Sequence, residues 1–166
     1  HYFRRMLGIV FEYGGAVFKF GGDALLIYFP DNGASHGDAH QPGAVAALTA
    51  SWHMQQAMTE LAEVKTTLGT FPLRMKIGLN AGSFFTGRLG TPDDRQFMVA
   101  GDNVNATARA ESLSVAGQIL VTPTVYAALN SPASPFQFSP GPNDHYLLTA
   151  LSAVPDPPDV ADALAV

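Results

Sequence analysis

The chain has 166 residues, 47% of them hydrophobic and 14% charged, which is enough to bury one sizeable core and too short for two. A formal charge of −5 with three lysines, Lys19, Lys65 and Lys76, leaves no basic stripe for a nucleic-acid polymer, and the absence of cysteine removes disulfides and thiolate zinc sites. No apolar run approaches the roughly 20 residues of a membrane span and His1 to Arg5 lacks the order of a signal peptide, so a cytoplasmic setting without membrane contact is expected.

Apolar residues at three- and four-residue steps from Tyr2 to Phe11 predict a helix that stops at Gly14-Gly15. Ala16 to Phe20 and Ala24 to Phe29 are β-branched and aromatic runs joined by Gly21-Gly22-Asp23, a hairpin with its turn residues in place. Pro30 to Pro42 lacks periodicity and reads as a surface loop. Within it His36-x-Asp38-x-His40 has a spacing that could ligate zinc or nickel, although side chains in such a loop are more often solvated. A long amphipathic helix is expected from Ala44 to Leu68, closed by Gly69. Leu73 to Ala81 and Phe84 to Leu89 predict a second pair of strands, and Phe97 to Val99 a further extended piece. Asp102 is a good N-cap for a helix from Asn103 to Leu113, a strand follows at Gln118 to Thr122, and Pro123 opens a short helix to about Leu129. Phe136 to Phe138 and Tyr146 to Leu151 bracket a Pro- and Gly-rich turn, and Ser152 to Val166 reads as a tail or linker after one domain over 1–151. Helices alternating with strand pairs indicate α+β or α/β, not a bundle.

Three stretches carry candidate chemistry. An aspartate at a tight hairpin tip, Asp23, is exposed and rigidly held, which suits a hard cation such as Mg²⁺; an isolated Gly-Gly-Asp is first of all a turn. Lys19 lies mid-strand and at period two shares a face with Val17 and Gly21, as a partly buried cation or an exposed one. Met75 to Gly87 offers glycines for close backbone approach. Asn105 and Arg109 stand four apart on the expected helix, an amide and a guanidinium on one face that could hold a ribose and a phosphate, or a solvated face with Arg109 paired to a carboxylate.

From Phe11 to about Leu129 the chain resembles the class III adenylyl and guanylyl cyclases, closest to the bicarbonate-responsive soluble type and its bacterial relatives. Phe18 to Leu26 resembles the metal-binding hairpin of that family, Lys76 to Gly82 its next core strand, Gly101 to Arg109 its catalytic helix and Gly117 to Thr122 the strand that follows. The resemblance implies an α+β, ferredoxin-like fold with an antiparallel-rich central sheet and helices on one face, dimerising head to tail with sites built from both chains. It implies a reaction in which ATP, or GTP, closes to the 3′,5′-cyclic nucleotide and releases pyrophosphate, with two Mg²⁺ or Mn²⁺ ions held by two aspartates. By position Asp23 matches the second metal aspartate, Asn105 the ribose-orienting asparagine and Arg109 the transition-state arginine. Lys19 matches the base-recognising lysine, with Phe20, Gly21 and Gly22 beside it and Met98 at the purine-reading position. A homodimer with two sites follows from one chain carrying both kinds of half-site.

The chain departs from that pattern in three places. The first metal aspartate belongs to a strand upstream of the helix that begins near His1, so the first strand and that carboxylate are expected to be missing and residues 1–166 inactive alone. Met98 cannot donate a hydrogen bond to a purine. Between Phe136 and Tyr146, where a lysine meets the triphosphate in the family, there is no Lys or Arg, and His145 is the candidate cation. These departures keep open a non-catalytic regulatory or dimerisation module. A diguanylate cyclase shares the Gly-Gly-Asp hairpin but follows it with glutamate, where this chain has Ala24, and has no counterpart of the Asn105/Arg109 helix.

Overall fold

The computed structural model describes residues 2–31, 41–60, 63–91 and 94–157; the His36-x-Asp38-x-His40 spacing lies outside them. Helix α1 (Tyr2–Glu12) buries Met6, Ile9 and Val10 at helical steps, and Gly14 ends the run with φ 73°, a left-handed conformation that costs glycine little. Strands β1 (Ala16–Gly21) and β2 (Ala24–Tyr28) form the expected antiparallel hairpin. Gly21 pairs with Ala24, leaving the two-residue turn Gly22-Asp23, and Gly22 at φ 66° supplies the positive angle that the first central position of a type II′ turn demands. A bulge at Phe18 shifts the register between Val17 and Lys19, so the strict alternation that would set those two side chains on one face is interrupted.

Helix α2 (Pro42–Glu60) is shorter than its periodicity predicts. The stretch expected to continue it to Leu68 instead enters β3 (Glu63–Thr66), which pairs antiparallel with β4 (Gly69–Pro72). The β-branched Val64, Thr66 and Thr67 lose side-chain freedom in a helix and suit a pleated strand, and Gly69 at φ 134° opens β4 instead of closing α2.

Strand β5 (Ile77–Leu79) is also shorter than expected, because Leu73 and Met75 pack against the α1–α2 core outside any strand. Nor does it pair with the strand after it. β6 (Phe85–Thr91) pairs with β7 (Asp94–Ala100), while Gly82 at φ 148° turns the chain between β5 and β6. Helix α3 (Asp102–Leu113) is capped by Gly101 and not by Asp102, which stands in the first turn where a carboxylate complements the helix dipole. β8 (Ile119–Val121), α4 (Pro123–Leu129) with proline in its first turn, β9 (Phe136–Pro140) and β10 (Tyr146–Leu151) complete the chain.

The main sheet runs β5-β8-β10-β9, with β5 parallel to β8 and the remaining pairs antiparallel. The α+β, antiparallel-rich architecture is therefore present. Leu48 of α2 packs with Leu79, Ile119, Val121 and Leu148 of the sheet and with Val125 of α4, while the other side of α2 packs on α1. To these helices the structure adds α3 on the opposite face: side chains alternate along β5, and a Cβ on Gly78 would run into the α3 backbone at Ala110 and Glu111. Among the described residues β2 pairs only with β1 and β5 only with β8. Leu25 to Tyr28 and Ile77 to Leu79 line one cavity of about 210 Å³, so two strands with a free edge border the same space. No described helix is long and apolar enough to cross a membrane.

Candidate active site

The hairpin brings Lys19, Phe20, Gly21, Gly22 and Asp23 together around its turn, and all five are exposed. Lys19 is thus the exposed cation of the two options its sequence left open. Phe20 remains 56% exposed although its ring meets Phe3 edge-on at 6.2 Å, so an apolar surface flanks the turn. Asp23 acts on its surroundings: the Tyr2 phenol is raised above its ordinary value first by burial and then by the nearby Asp23 charge.

Helix α3 separates its residues by face. Asn103, Val104, Thr107 and Ala110 turn inward, whereas Asn105 and Arg109, four apart, are both exposed on the other side. Among the described residues Arg109 has no carboxylate partner. Met98, half-buried on β7 opposite Gly87, stands near the start of the same helix. The last turn of α3 is clamped to β5 by the close approach at Gly78 and to the residue before that strand by the Lys76–Glu111 ion pair at 3.2 Å, a contact of modest worth because both side chains are well exposed.

The hairpin group and the helix group share no hydrogen bond or ion pair among the described residues; aromatic rings connect their elements instead. Phe18 stacks on Tyr28 at 4.2 Å and on Phe97 at 5.6 Å and meets Phe84 edge-on at 5.2 Å, tying β1 and β2 to β7 and to the loop before β6. Sequence reading passed over Phe84 and Phe97 as strand residues, and their exposure of 39% and 48% has no signal in a single sequence. It also treated Asn80 and Asn103 as ordinary members of a strand end and a helix start. In the structure the Asn80 amide donates to the Asn103 carbonyl at 3.2 Å and to its side-chain oxygen at 3.0 Å.

The His145 ring does not project into solvent. It is 9% exposed, and its Nδ1 lies 2.7 Å from the Asn143 carbonyl, to which it donates as an N–H. The turn that holds it, Asn143-Asp144, has both residues left-handed at φ 50° and 60°, as a type I′ hairpin requires. No group of three or more His, Asp or Glu side chains gathers among the described residues. A single exposed carboxylate fits Mg²⁺ or Mn²⁺, ions that take one or two protein carboxylates and complete their shell with water and substrate phosphates, and it does not fit a metal caged by protein alone.

Residues 33–150 match the family of the adenylate and guanylate cyclase catalytic domain. The soluble guanylate cyclase subunit alpha-1 of Rattus norvegicus is 39% identical over 88 residues, 52% of this chain and 12% of that protein, so the chain spans only a small part of its curated relatives. The crystal structure of the guanylyl cyclase Cya2 superposes with a TM-score of 0.67 at 28% identity, covering 95% of this chain and 80% of that one. The adenylyl cyclase CyaB from P. aeruginosa shares the fold, with a TM-score of 0.72 at 24% identity over 93% of this chain and 81% of the other. The chain belongs to the adenylate and guanylate cyclase catalytic domain family.

Proposed function

We propose that this family member is the catalytic module of a nucleotidyl cyclase that converts ATP to 3′,5′-cyclic AMP and pyrophosphate at a homodimer interface. The observation that carries the reading is the pair of open polar groups: Asp23 on a rigid turn, and Asn105 with Arg109 on one exposed helix face, unengaged by each other. One chain then gives the carboxylate half of one site and the amide–guanidinium half of another, and a two-fold pair completes both.

Asp23 would hold Mg²⁺ or Mn²⁺, which when bound offsets the charge of the triphosphate. Lys19 reads the base edge, with Phe20 beside it, and Gly21 and Gly22 let the substrate approach the backbone. Asn105 orients the ribose so that its 3′-oxygen faces the α-phosphorus, and the Arg109 guanidinium lies where negative charge develops as pyrophosphate departs. A second carboxylate is expected on a strand outside residues 1–166. The cavity bordered by the edges of β2 and β5, which are unpaired among the described residues, supports a strand at that place, and on this reading the 166 residues alone make no cyclic nucleotide.

Two observations favour a second reading, a catalytically degenerate regulatory or dimerisation module: the Met98 thioether at the purine-reading position and the inward-turned His145 where a triphosphate cation is expected. The names of several relatives also make GTP the alternative substrate. Full-length protein assayed with ATP or GTP and Mg²⁺ or Mn²⁺ separates these readings. Cyclic AMP that disappears in Asp23→Ala supports the proposal, cyclic GMP transfers it to guanylyl cyclase, and no product from either nucleotide leaves the module.

A further inference from the structure

A chain of side-chain hydrogen bonds crosses the molecule beneath α3. The Thr122 hydroxyl donates to the Asn80 side-chain oxygen at 2.7 Å, the Asn80 amide donates to Asn103, and the Asn103 amide donates to the Ser83 carbonyl at 2.7 Å. Four segments meet there: the junction of β8 and α4, the end of β5, the first turn of α3 and the loop leading to β6. The relay admits one orientation, because turning the Asn80 amide over would set its oxygen against two acceptors of Asn103. It is also fixed from behind. Thr122 is 4% exposed and its backbone N–H donates to the Leu79 carbonyl at 3.0 Å, while Gly82, at φ 148°, leaves no room for a Cβ beside the Asn103 amide.

We propose that Asn80 is a positioning residue: through Asn103 it fixes the first turn of α3, and so the place from which Asn105 and Arg109 act. Its effect on turnover rests on the cyclase reading; the relay itself does not. Asn103 precedes Asn105 by two positions, about 200° around the helix, so the relay grips the buried side of the turn whose open side presents Asn105. At its other end the relay holds Ser83, next to Phe84, whose ring packs on Phe18 and Tyr28 of the hairpin that carries Asp23. Both half-sites of one chain are thereby referenced to one pair of amides. The last turn of α3 is held independently, by the approach at Gly78 and by the Lys76–Glu111 pair, so loss of Asn80 loosens the first turn without undocking the helix. A directional polar network of this kind specifies one geometry where an apolar contact would tolerate several.

The test uses the full-length protein with ATP and Mn²⁺. Asn80→Asp keeps the shape and the acceptor for Thr122 but sets a carboxylate oxygen against the Asn103 carbonyl. It is expected to lower kcat about 10- to 100-fold with KM within about two-fold, the pattern of misplaced transition-state groups. Combined with Arg109→Ala it adds little further loss, because it acts through the same helix; losses that multiply independently would make Asn80 merely structural and overturn the proposal. Thr122→Val lowers kcat in the same direction and Thr122→Ser restores it, a pair that reads the same relay should the Asn80 variants not fold. Hydrogen exchange gives a readout without turnover: the Val104 and Asn105 amides, which donate to the Gly101 carbonyl, exchange faster in Asn80→Asp while that of Ser114 at the helix end is unchanged. Equal exchange at Val104 and Asn105, or kcat within about two-fold of the parent in both Asn80→Asp and Thr122→Val, contradicts the proposal. If the parent protein itself turns over neither nucleotide, the cyclase reading falls and the exchange rates alone decide the role of Asn80.

Discussion

Arg109 and Asn105 spend nothing on packing: both are exposed, and Arg109 has no carboxylate partner among the described residues. Arg109→Ala is therefore expected to leave the melting temperature of the full-length protein unchanged while lowering kcat about 10²-fold or more, as steady-state kinetics beside thermal melts would show. Tyr13 is the opposite case, buried and stacked on His53 at 5.6 Å, with its phenol raised above the ordinary value by burial and then by the Glu12 and Asp156 charges. The folded protein holds that proton longer than the unfolded chain does. The stability it contributes is complete below the unfolded value of about 10 and is lost as pH rises through the folded value, so Tyr13→Phe should flatten the alkaline fall in stability. The placement of Asp23 on a hairpin turn and of Asn105 and Arg109 on one helix face was legible in the sequence because a turn signal and a four-residue step are local. Asn80 was not, because its partners lie 23 and 42 positions away and only folding brings them together.

At the scale of elements, local chemistry decided what could be read. The β1–β2 hairpin follows from its turn glycine, and α4 from Pro123 at its first turn. The end of α2 did not follow, because Leu61, Val64 and Leu68 continue a helical step while the β-branched residues among them favour a strand, and pairing with β4 settled the contest. The parallel partner of β5 was equally hidden, since β8 arrives only after α3. Gly78 explains why β5 needs a glycine there: Gly78→Ala presses a methyl group into the α3 backbone and should destabilise the protein by about 1–3 kcal/mol in denaturant unfolding. Gly21→Ala, where nothing lies within 4 Å, should cost far less.

At the scale of the molecule, the central claim is that each chain holds two complementary halves of different sites, so the reaction belongs to a pair of chains. The main sheet and the separate hairpin agree with this division, since the exposed Asp23 turn and the exposed face of α3 have no polar contact with one another among the described residues. Complementation of two inactive full-length variants tests it most directly. Asp23→Ala keeps Asn105 and Arg109, and Arg109→Ala keeps Asp23, so each homodimer is inactive while a mixed dimer contains one intact site. Random exchange of equal amounts should restore about a quarter of the parent turnover. A mixture no more active than its two components would contradict the account and place the whole reaction within one chain.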